Sequence, residues 1–327
     1  GGWAGVDVFF CLSGFLITAL ILDEQRVHGR LDWVSFYARR ACRLLPALLL
    51  MLAVWTATLL AFNSRGFLGA TPSGDGTGRV IDISRALTDV VVATFYLANW
   101  NIVDGGQEAP LGHLWSLSVE EQFYLLWPVV LVGLLALGSR LRLWLLGALI
   151  ALCAVLPWVL WNDGAGTERI YFGTDTRAVG LLIGAFAAMV WHRRKATNTP
   201  TRYAAARAWI GLAVVLYIAW TAEDSPRKYL VYLTLLAVAV AQVVPYLADN
   251  RGVLARGLAR PWLIWLGKRS YALYLWHYLW ATWTHVLPAP VGIPLGIAAS
   301  LVCAELSWRL VERPASRFGR RWTRVAH

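Results

Sequence analysis

Apolar runs about as long as a lipid bilayer is thick recur along the whole sequence, and they leave few folds open to it. Nine runs are candidate membrane spans, and they cover residues 5–22, 44–62, 119–137, 141–161, 177–191, 208–221, 229–248, 270–287 and 291–311. A helix of about 20 residues rises about 30 Å, which is the thickness of the hydrocarbon core. Charged residues make up only 15% of the chain, whereas a soluble domain usually carries about 25%. We therefore predict an all-α, polytopic transmembrane bundle that forms one membrane-embedded domain over residues 1–327.

The positive charges predict which side of the membrane each loop faces, because Lys and Arg accumulate in short cytoplasmic loops. A tenth apolar run, residues 86–101, contains Asp89 and ends in polar residues. If this run does not cross the membrane, the loops of one side, which we assign as cytoplasmic, hold 23 of the 30 Lys and Arg residues. If the run did cross, every later loop would change sides and this charge bias would disappear. We therefore predict a re-entrant or interfacial segment at 86–101, with residue 1 extracytoplasmic and the C-terminus cytoplasmic. Residues 63–85 are predicted to be a flexible extracytoplasmic loop, and residues 312–327 a basic cytoplasmic tail.

Composition argues against several other classes of protein. The net charge of +11 is spread over short clusters between the apolar runs, as the positive-inside rule requires, so we predict membrane lipids and no nucleic acid as partners. The four cysteines are scattered and indicate neither a disulfide framework nor a metal site. A transporter or flippase of an acyl group or a lipid-linked sugar is the alternative class. The sequence shows no internal repeat of the kind common in transporters.

Ionisable side chains at membrane depth are candidate functional residues, because each costs about 2.5–3.5 kcal/mol on insertion scales. Ser118 and Glu121 fit a capping box at the start of a span, which leaves Glu120 to face the bundle. His277 is interpreted either as a hydrogen-bonding partner between helices or as a catalytic base. The remaining polar groups at the outer ends of spans are Asp7, Asp175, Arg177 and, just before Leu114, His113.

Three local patterns allow both a structural and a functional interpretation. Ser13, followed by Gly14, permits close helix packing as well as a substrate contact. Asp175 and its neighbour Thr174 fit either a helix cap or a contact to an acceptor sugar. Arg40 and Arg43 stand three residues apart on one helix face at the predicted cytoplasmic boundary. Guanidinium groups in that position can bind phosphates in a bidentate manner or anchor the helix beside anionic lipid.

Five motifs, taken in order, resemble those of the bacterial acyltransferase-three family. They are GVDVFFCLSGFLIT, FYARRACRLLPA, HLWSLSVEEQFYLLWP, TDTRAVGLLIGA, and SYALYLWH together with LVERP. The resemblance implies a ten-helix domain in the bacterial plasma membrane that takes an acetyl or longer acyl group from acyl-CoA, with no permanently bound cofactor. The acceptor would be a hydroxyl of an envelope glycan, a lipid-linked sugar or a secondary metabolite.

The resemblance also implies roles for particular residues. The family's R-x-x-R motif falls on Arg40 and Arg43, which would bind the CoA donor. From the residues themselves we further expect Glu120 to orient the catalytic base or bind the acceptor, and Asp7, Ser13, Asp175 and Arg177 to contact the substrate. The family's first helix carries an Arg and, ten residues later, an essential His. This sequence begins after that helix, so we expect either that one N-terminal span is missing or that His113 or His277 replaces the base. The sequence also departs from the family pattern at Val179, Tyr278 and Leu279. These departures bear on which acceptor the protein uses, and they leave the predicted fold unchanged.

Overall fold

The chain folds into helices throughout the described part of a computed structural model, which comprises residues 2–62, 82–106, 111–197, 203–221, 228–249 and 252–325. The helices are α1 (Gly2–His28), α2 (Trp33–Phe62), α3 (Ile83–Thr94), α4 (Ala98–Val103), α5 (Leu114–Leu135), α6 (Ser139–Asn162), α7 (Thr167–Phe172), α8 (Thr174–Ala196), α9 (Ala204–Thr221), α10 (Leu233–Ala248), α11 (Gly252–Leu258), α12 (Pro261–Thr284), α13 (Ala289–Ser307) and α14 (Arg313–Val325). Short π-helical turns at Lys228–Tyr232 and Trp308–Glu312 precede α10 and α14. The predicted all-α class is confirmed.

The predicted spans fall on long helices. Within the described ranges, eight helices are long and apolar enough to cross a membrane. They include every predicted span except 270–287. That span falls on α12, whose 24 residues are sufficient in length but include Lys268, Arg269 and His277. The polytopic bundle is therefore confirmed, while the sidedness of the loops stays a prediction.

The segment 86–101 is divided between two short helices. α3 has 12 residues and α4 has 6, so they rise about 18 Å and 9 Å, each less than the hydrocarbon core. The chain turns between them at Tyr96, whose φ is +56°. Neither helix alone can cross, in line with a re-entrant or interfacial segment. The predicted loop 63–85 lies outside the described residues except for its end, where Asp82 caps α3 by accepting from the Ser84 N–H at 2.9 Å.

The predicted capping box at Ser118 is wrong. α5 begins at Leu114, so Ser118 lies inside the helix rather than at its start. The residues before Ser118 continue the apolar pattern, and Leu114, Trp115 and Leu117 are all buried. Burial of these side chains extends the helix by about one turn beyond the polar signal that predicted its start.

The helices form two compact units, of which the first contains residues 1–31, 102–104 and 115–259. Within it, α1 lies along α8, and both pack against α10. The two backbones meet where each helix has a glycine: a methyl group on Gly14 would overlap the carbonyl of Leu181, and one on Gly184 would overlap the carbonyl of Cys11. The predicted close approach at Ser13 and Gly14 is therefore present, and glycine is needed on both sides of the contact.

The second unit contains residues 32–101, 105–114 and 260–327. α12 packs against α13, and the guanidinium of Arg269 on α12 binds both carboxylate oxygens of Glu305 on α13, one of them at 3.0 Å. α13 continues through the π-helical turn into α14, which packs on α2. The predicted basic tail is therefore helical from Arg313 to Val325.

Candidate functional site

A buried carboxylate and two hydroxyl groups lie together in the first unit. Glu120 on α5 accepts hydrogen bonds from Ser13 on α1 and, at 2.5 Å, from the phenol of Tyr124. The two hydroxyl oxygens also contact each other. One turn further along both helices, the indole of Trp127 donates to Thr18 at 2.8 Å. Ser13, Glu120 and Tyr124 are each at most 5% exposed, so this cluster offers a hydrogen-bonding carboxylate in an apolar interior.

Asp7 and Arg177 form a buried ion pair between α1 and α8. The Arg177 nitrogen lies 2.8 Å from the Asp7 carboxylate, and the side chains are only 2% and 5% exposed. Three aromatic rings surround the guanidinium, with their centroids 4.8–5.3 Å away; they belong to Phe10, Trp115 and Tyr171. The pair neutralises two charges that would be costly to bury separately. The substrate-binding role of both residues stays a prediction.

Asp175 lies at the start of α8 but is not its N-cap. The N-cap is Gly173, and the helix begins at Thr174. The Asp175 carboxylate accepts two hydrogen bonds from the guanidinium of Arg169, at 2.8 and 2.5 Å, and a third from the Thr176 N–H at 2.9 Å. Asp175 is therefore fixed by its neighbours, and its predicted contact to a substrate is untested.

Two histidines and two tyrosines cluster in the second unit. The ring of His113, in the turn before α5, stacks on Tyr278 at 4.7 Å and meets the edge of His277 at 5.9 Å. Tyr274 donates its phenolic hydrogen to the backbone carbonyl of His113. Both predicted histidines therefore lie side by side, although 164 positions separate them in the sequence.

The two histidines differ in what they can do with a proton. Burial, together with the nearby His277, lowers the pKa of His113 to about 3, so this ring remains neutral at physiological pH. His277 is exposed, and its Nδ1 lies 2.7 Å from the carbonyl oxygen of Tyr274. Because a carbonyl oxygen only accepts, Nδ1 carries the hydrogen, and Nε2 holds the lone pair of the neutral ring. His277 is thus better suited than His113 to receive a proton.

Arg40 and Arg43 lie on α2, which packs against α14, a helix that carries arginines of its own. Arg43 is exposed and Arg40 is partly buried. α14 approaches α2 closely at Gly319, where a Cβ would lie 2.9 Å from the Cβ of Cys42. The spacing of the α14 arginines places them on one face of the helix, and all three are exposed: Arg313, Arg317 and Arg320. We call these five arginines the basic patch.

Sequence reasoning found single members of these groups but missed their partners. The first unit contains Asp7, Ser13, Glu120, Asp175 and Arg177, and the second contains Arg40, Arg43, His113 and His277. Tyr124 and Tyr278 were not predicted as partners of Glu120 and His113, and the predicted basic tail was not expected to pack on α2. The spacing of Tyr124, four residues after Glu120, was the one local signal that could have identified a partner.

Comparison with known proteins identifies several bacterial relatives. The chain is 34% identical over 335 residues to the "Putative peptidoglycan O-acetyltransferase YrhL" of Bacillus subtilis, covering 96% of this chain and 50% of the relative. It is 32% identical over 340 residues to the peptidoglycan O-acetyltransferase OatA of Listeria monocytogenes, covering 98% and 52%. The chain therefore spans about half the length of the curated relatives it matches. No solved structure matches it significantly.

A family profile matches nearly the whole chain. The profile is described as an acyltransferase domain, and it matches residues 3–309. This range includes every motif except LVERP, and every candidate site residue apart from the α14 arginines. The chain therefore belongs to the acyltransferase-three family, as its motifs predicted.

Proposed function

We propose that this chain forms the membrane part of an O-acyltransferase that moves an acetyl or other acyl group from acyl-CoA to a hydroxyl of an envelope glycan. The relatives in Bacillus and Listeria carry peptidoglycan in their names, so peptidoglycan is the first acceptor to test. Family membership favours transfer over the alternative of a transporter or flippase.

The basic patch is the observation that carries the donor assignment. A CoA nucleotide bears several phosphate charges, and arginine binds phosphate through paired N–H groups. The patch combines two arginines of α2 with three of α14, on helices that pack against each other. It therefore brings five positive charges to two packed helices, as a polyanionic donor requires, at a membrane boundary that the loop charges predict to be cytoplasmic.

The chemistry needs a base for the acceptor hydroxyl. The hydroxyl oxygen forms the new ester bond to the acyl carbon while the carbon–sulfur bond of the thioester breaks. The hydroxyl proton passes to the base and then to the departing CoA thiolate. Among the residues of this chain, His277 is the best candidate, because its Nε2 holds a lone pair and its Nδ1 is fixed by a hydrogen bond.

The donor site is tested by replacing Arg40 and Arg43. We expect the double variant Arg40→Gln/Arg43→Gln of the complete gene product to bind acetyl-CoA at least tenfold more weakly in calorimetry. Arg140→Gln/Arg256→Gln removes the same charge from exposed positions in the first unit and should bind normally. Dephospho-CoA lacks one phosphate, so its affinity should depend less on the two arginines. Equal affinity of wild type and the Arg40/Arg43 variant would remove these residues from the donor site.

The base is tested by single-turnover acetyl transfer to peptidoglycan fragments. His277→Gln should slow the transfer by about 10²–10⁴-fold with unchanged acetyl-CoA affinity, which is the usual contribution of a general base. His113→Phe keeps the stacked aromatic ring and should slow it far less. If the transfer rate of His277→Gln equals that of wild type, the base is another residue.

A further inference from the structure

A groove in the first unit has no part in the proposed transfer. It has a volume of about 950 Å³ and lies among α6, α8, α9 and α10. None of the nine predicted site residues lines it. Its lining changes in character along its length, from apolar at one end to basic at the other, and this change indicates what it can hold.

The apolar part of the groove follows α8 and α10 towards the ends of these helices that are predicted to be cytoplasmic. On α8 the lining of this part runs from Ile183 to Trp191, and on α10 it runs from Thr234 to Tyr246. At 1.5 Å per residue these stretches measure about 12 Å and 18 Å, which bracket the roughly 15 Å of hydrocarbon in one leaflet. Among the polar residues of the wall, Gln242 donates to the Val238 carbonyl of its own helix at 3.4 Å. The wall is therefore suited to an acyl chain.

The other end of the groove carries three cations. They are Arg194 and Lys195 at the end of α8 and Arg207 in the first turn of α9. The one carboxylate in the lining, that of Asp249, accepts from the indole of Trp191 at 2.9 Å. Within the described chain, neither Arg194 nor Arg207 forms an ion pair. The basic end therefore has an excess of two positive charges, in loops predicted to be cytoplasmic.

We propose that this groove binds one anionic phospholipid of the cytoplasmic leaflet. The lipid phosphate contacts Arg194, Lys195 and Arg207, and an acyl chain lies along the apolar wall. A juxtamembrane cation contributes about 1 kcal/mol to the attraction of anionic lipid. The hydrocarbon of an acyl chain needs no hydrogen-bonding partner, and the groove wall next to the basic end is mostly apolar. A lipid in this position would join α6, α8, α9 and α10 as a structural ligand.

The test measures lipid bound to the purified complete gene product by native mass spectrometry. We expect phosphatidylglycerol to remain bound at concentrations where phosphatidylcholine does not. Arg194→Gln/Lys195→Gln/Arg207→Gln should weaken phosphatidylglycerol binding at least tenfold. The control Arg140→Gln/Arg193→Gln/Arg256→Gln removes the same charge from exposed positions outside the groove and should retain binding within twofold. Equal losses in the two triple variants would overturn the proposal, because general surface charge would then explain the binding.

The apolar wall is tested separately. Ala187→Trp fills the groove, whereas Ala148→Trp places the same side chain at an exposed position of α6 outside it. Only Ala187→Trp should displace the lipid, with both variants remaining helical and monodisperse. Displacement of the lipid by CoA in wild type would assign the groove to the acyl donor and overturn the lipid proposal. Retention of lipid at saturating CoA supports it, whatever the outcome of the transfer assays.

Discussion

The contact between α1 and α8 makes a quantitative prediction for Gly14→Ala. The added methyl carbon would lie 2.6 Å from the carbonyl carbon of Leu181 and 2.8 Å from its Cα, whereas ordinary contacts begin at 3.4 Å. The obstructing atoms are helical backbone, so no side-chain rotation removes the overlap. The helices must separate by about 1 Å, and a gap of that size forfeits a quarter to a half of the dispersion energy of the atoms involved.

The cost follows from two opposing effects. Overpacking usually destabilises by about 1–3 kcal/mol, and a clash between two backbones belongs at the upper end of that range. Replacing a helical glycine with alanine recovers about 0.5–1 kcal/mol. We therefore expect Gly14→Ala to lower the free energy of unfolding by about 2 kcal/mol, measured by SDS titration of the purified protein in mixed micelles.

Three further substitutions make this prediction specific. Gly5 lies on the same helix, and a methyl group added there would have no neighbouring atom within 4 Å, so Gly5→Ala should be neutral or stabilising. Gly180→Ala meets only the Cβ of Phe10, at 3.4 Å, and should cost less than about 1 kcal/mol. Gly184→Ala should resemble Gly14→Ala, and the double variant should cost less than both together, because one separation relieves both clashes. Equal stability of Gly14→Ala and Gly5→Ala would refute the reasoning.

Two other predictions follow from buried charges. The pKa of His113 falls from 6.5 to about 3 on folding, so the unfolded state binds the proton more tightly and stability is lost as the pH falls below 6.5. Relative to His113→Phe, wild type should lose about 2 kcal/mol between pH 7 and pH 5, and parallel pH curves would contradict this. Burial also raises the pKa of Asp89 to about 6, so its contribution to stability is instead lost as the pH rises from 3.8 through 6. Because wild type and His113→Phe share this contribution, it cancels when their stabilities are compared. Arg177→Leu leaves the Asp7 carboxylate buried without its counter-ion and should cost about 3–5 kcal/mol of unfolding free energy, most of which Asp7→Leu/Arg177→Leu should restore. Equal costs for the single and the double variant would contradict a buried pair.

The sequence predicted the spans well because bilayer thickness fixes the length of an apolar run, whatever the tertiary structure. It failed at the start of α5, where the hydrogen-bonding pattern of Ser118 and Glu121 competed with burial of the preceding apolar residues. Burial extended the helix, and this outcome depends on tertiary neighbours that a local pattern does not contain.

The candidate site could be predicted only residue by residue. Ser13 and Glu120 were both identified, yet 107 positions separate them, and nothing local indicates that one binds the other. His113 and His277 were likewise proposed as alternative bases, and their contact in the second unit depends on helix packing. Motifs therefore identified the family and many polar residues, while the pairing of those residues, and the packing of the basic tail on α2, required the fold.

The π-helical turn at Trp308–Glu312 determines which arginines the basic patch can contain. In this turn the Arg313 N–H donates to the carbonyl of Trp308, five residues earlier, so one residue more than in an α-helix lies between α13 and α14. Each helical residue corresponds to a rotation of about 100°. Deleting one residue here would convert the turn to regular α-helix and rotate α14 by that angle, so that Gly319 would no longer face Cys42. The composition of the patch thus depends on the length of the connection as much as on the arginines themselves.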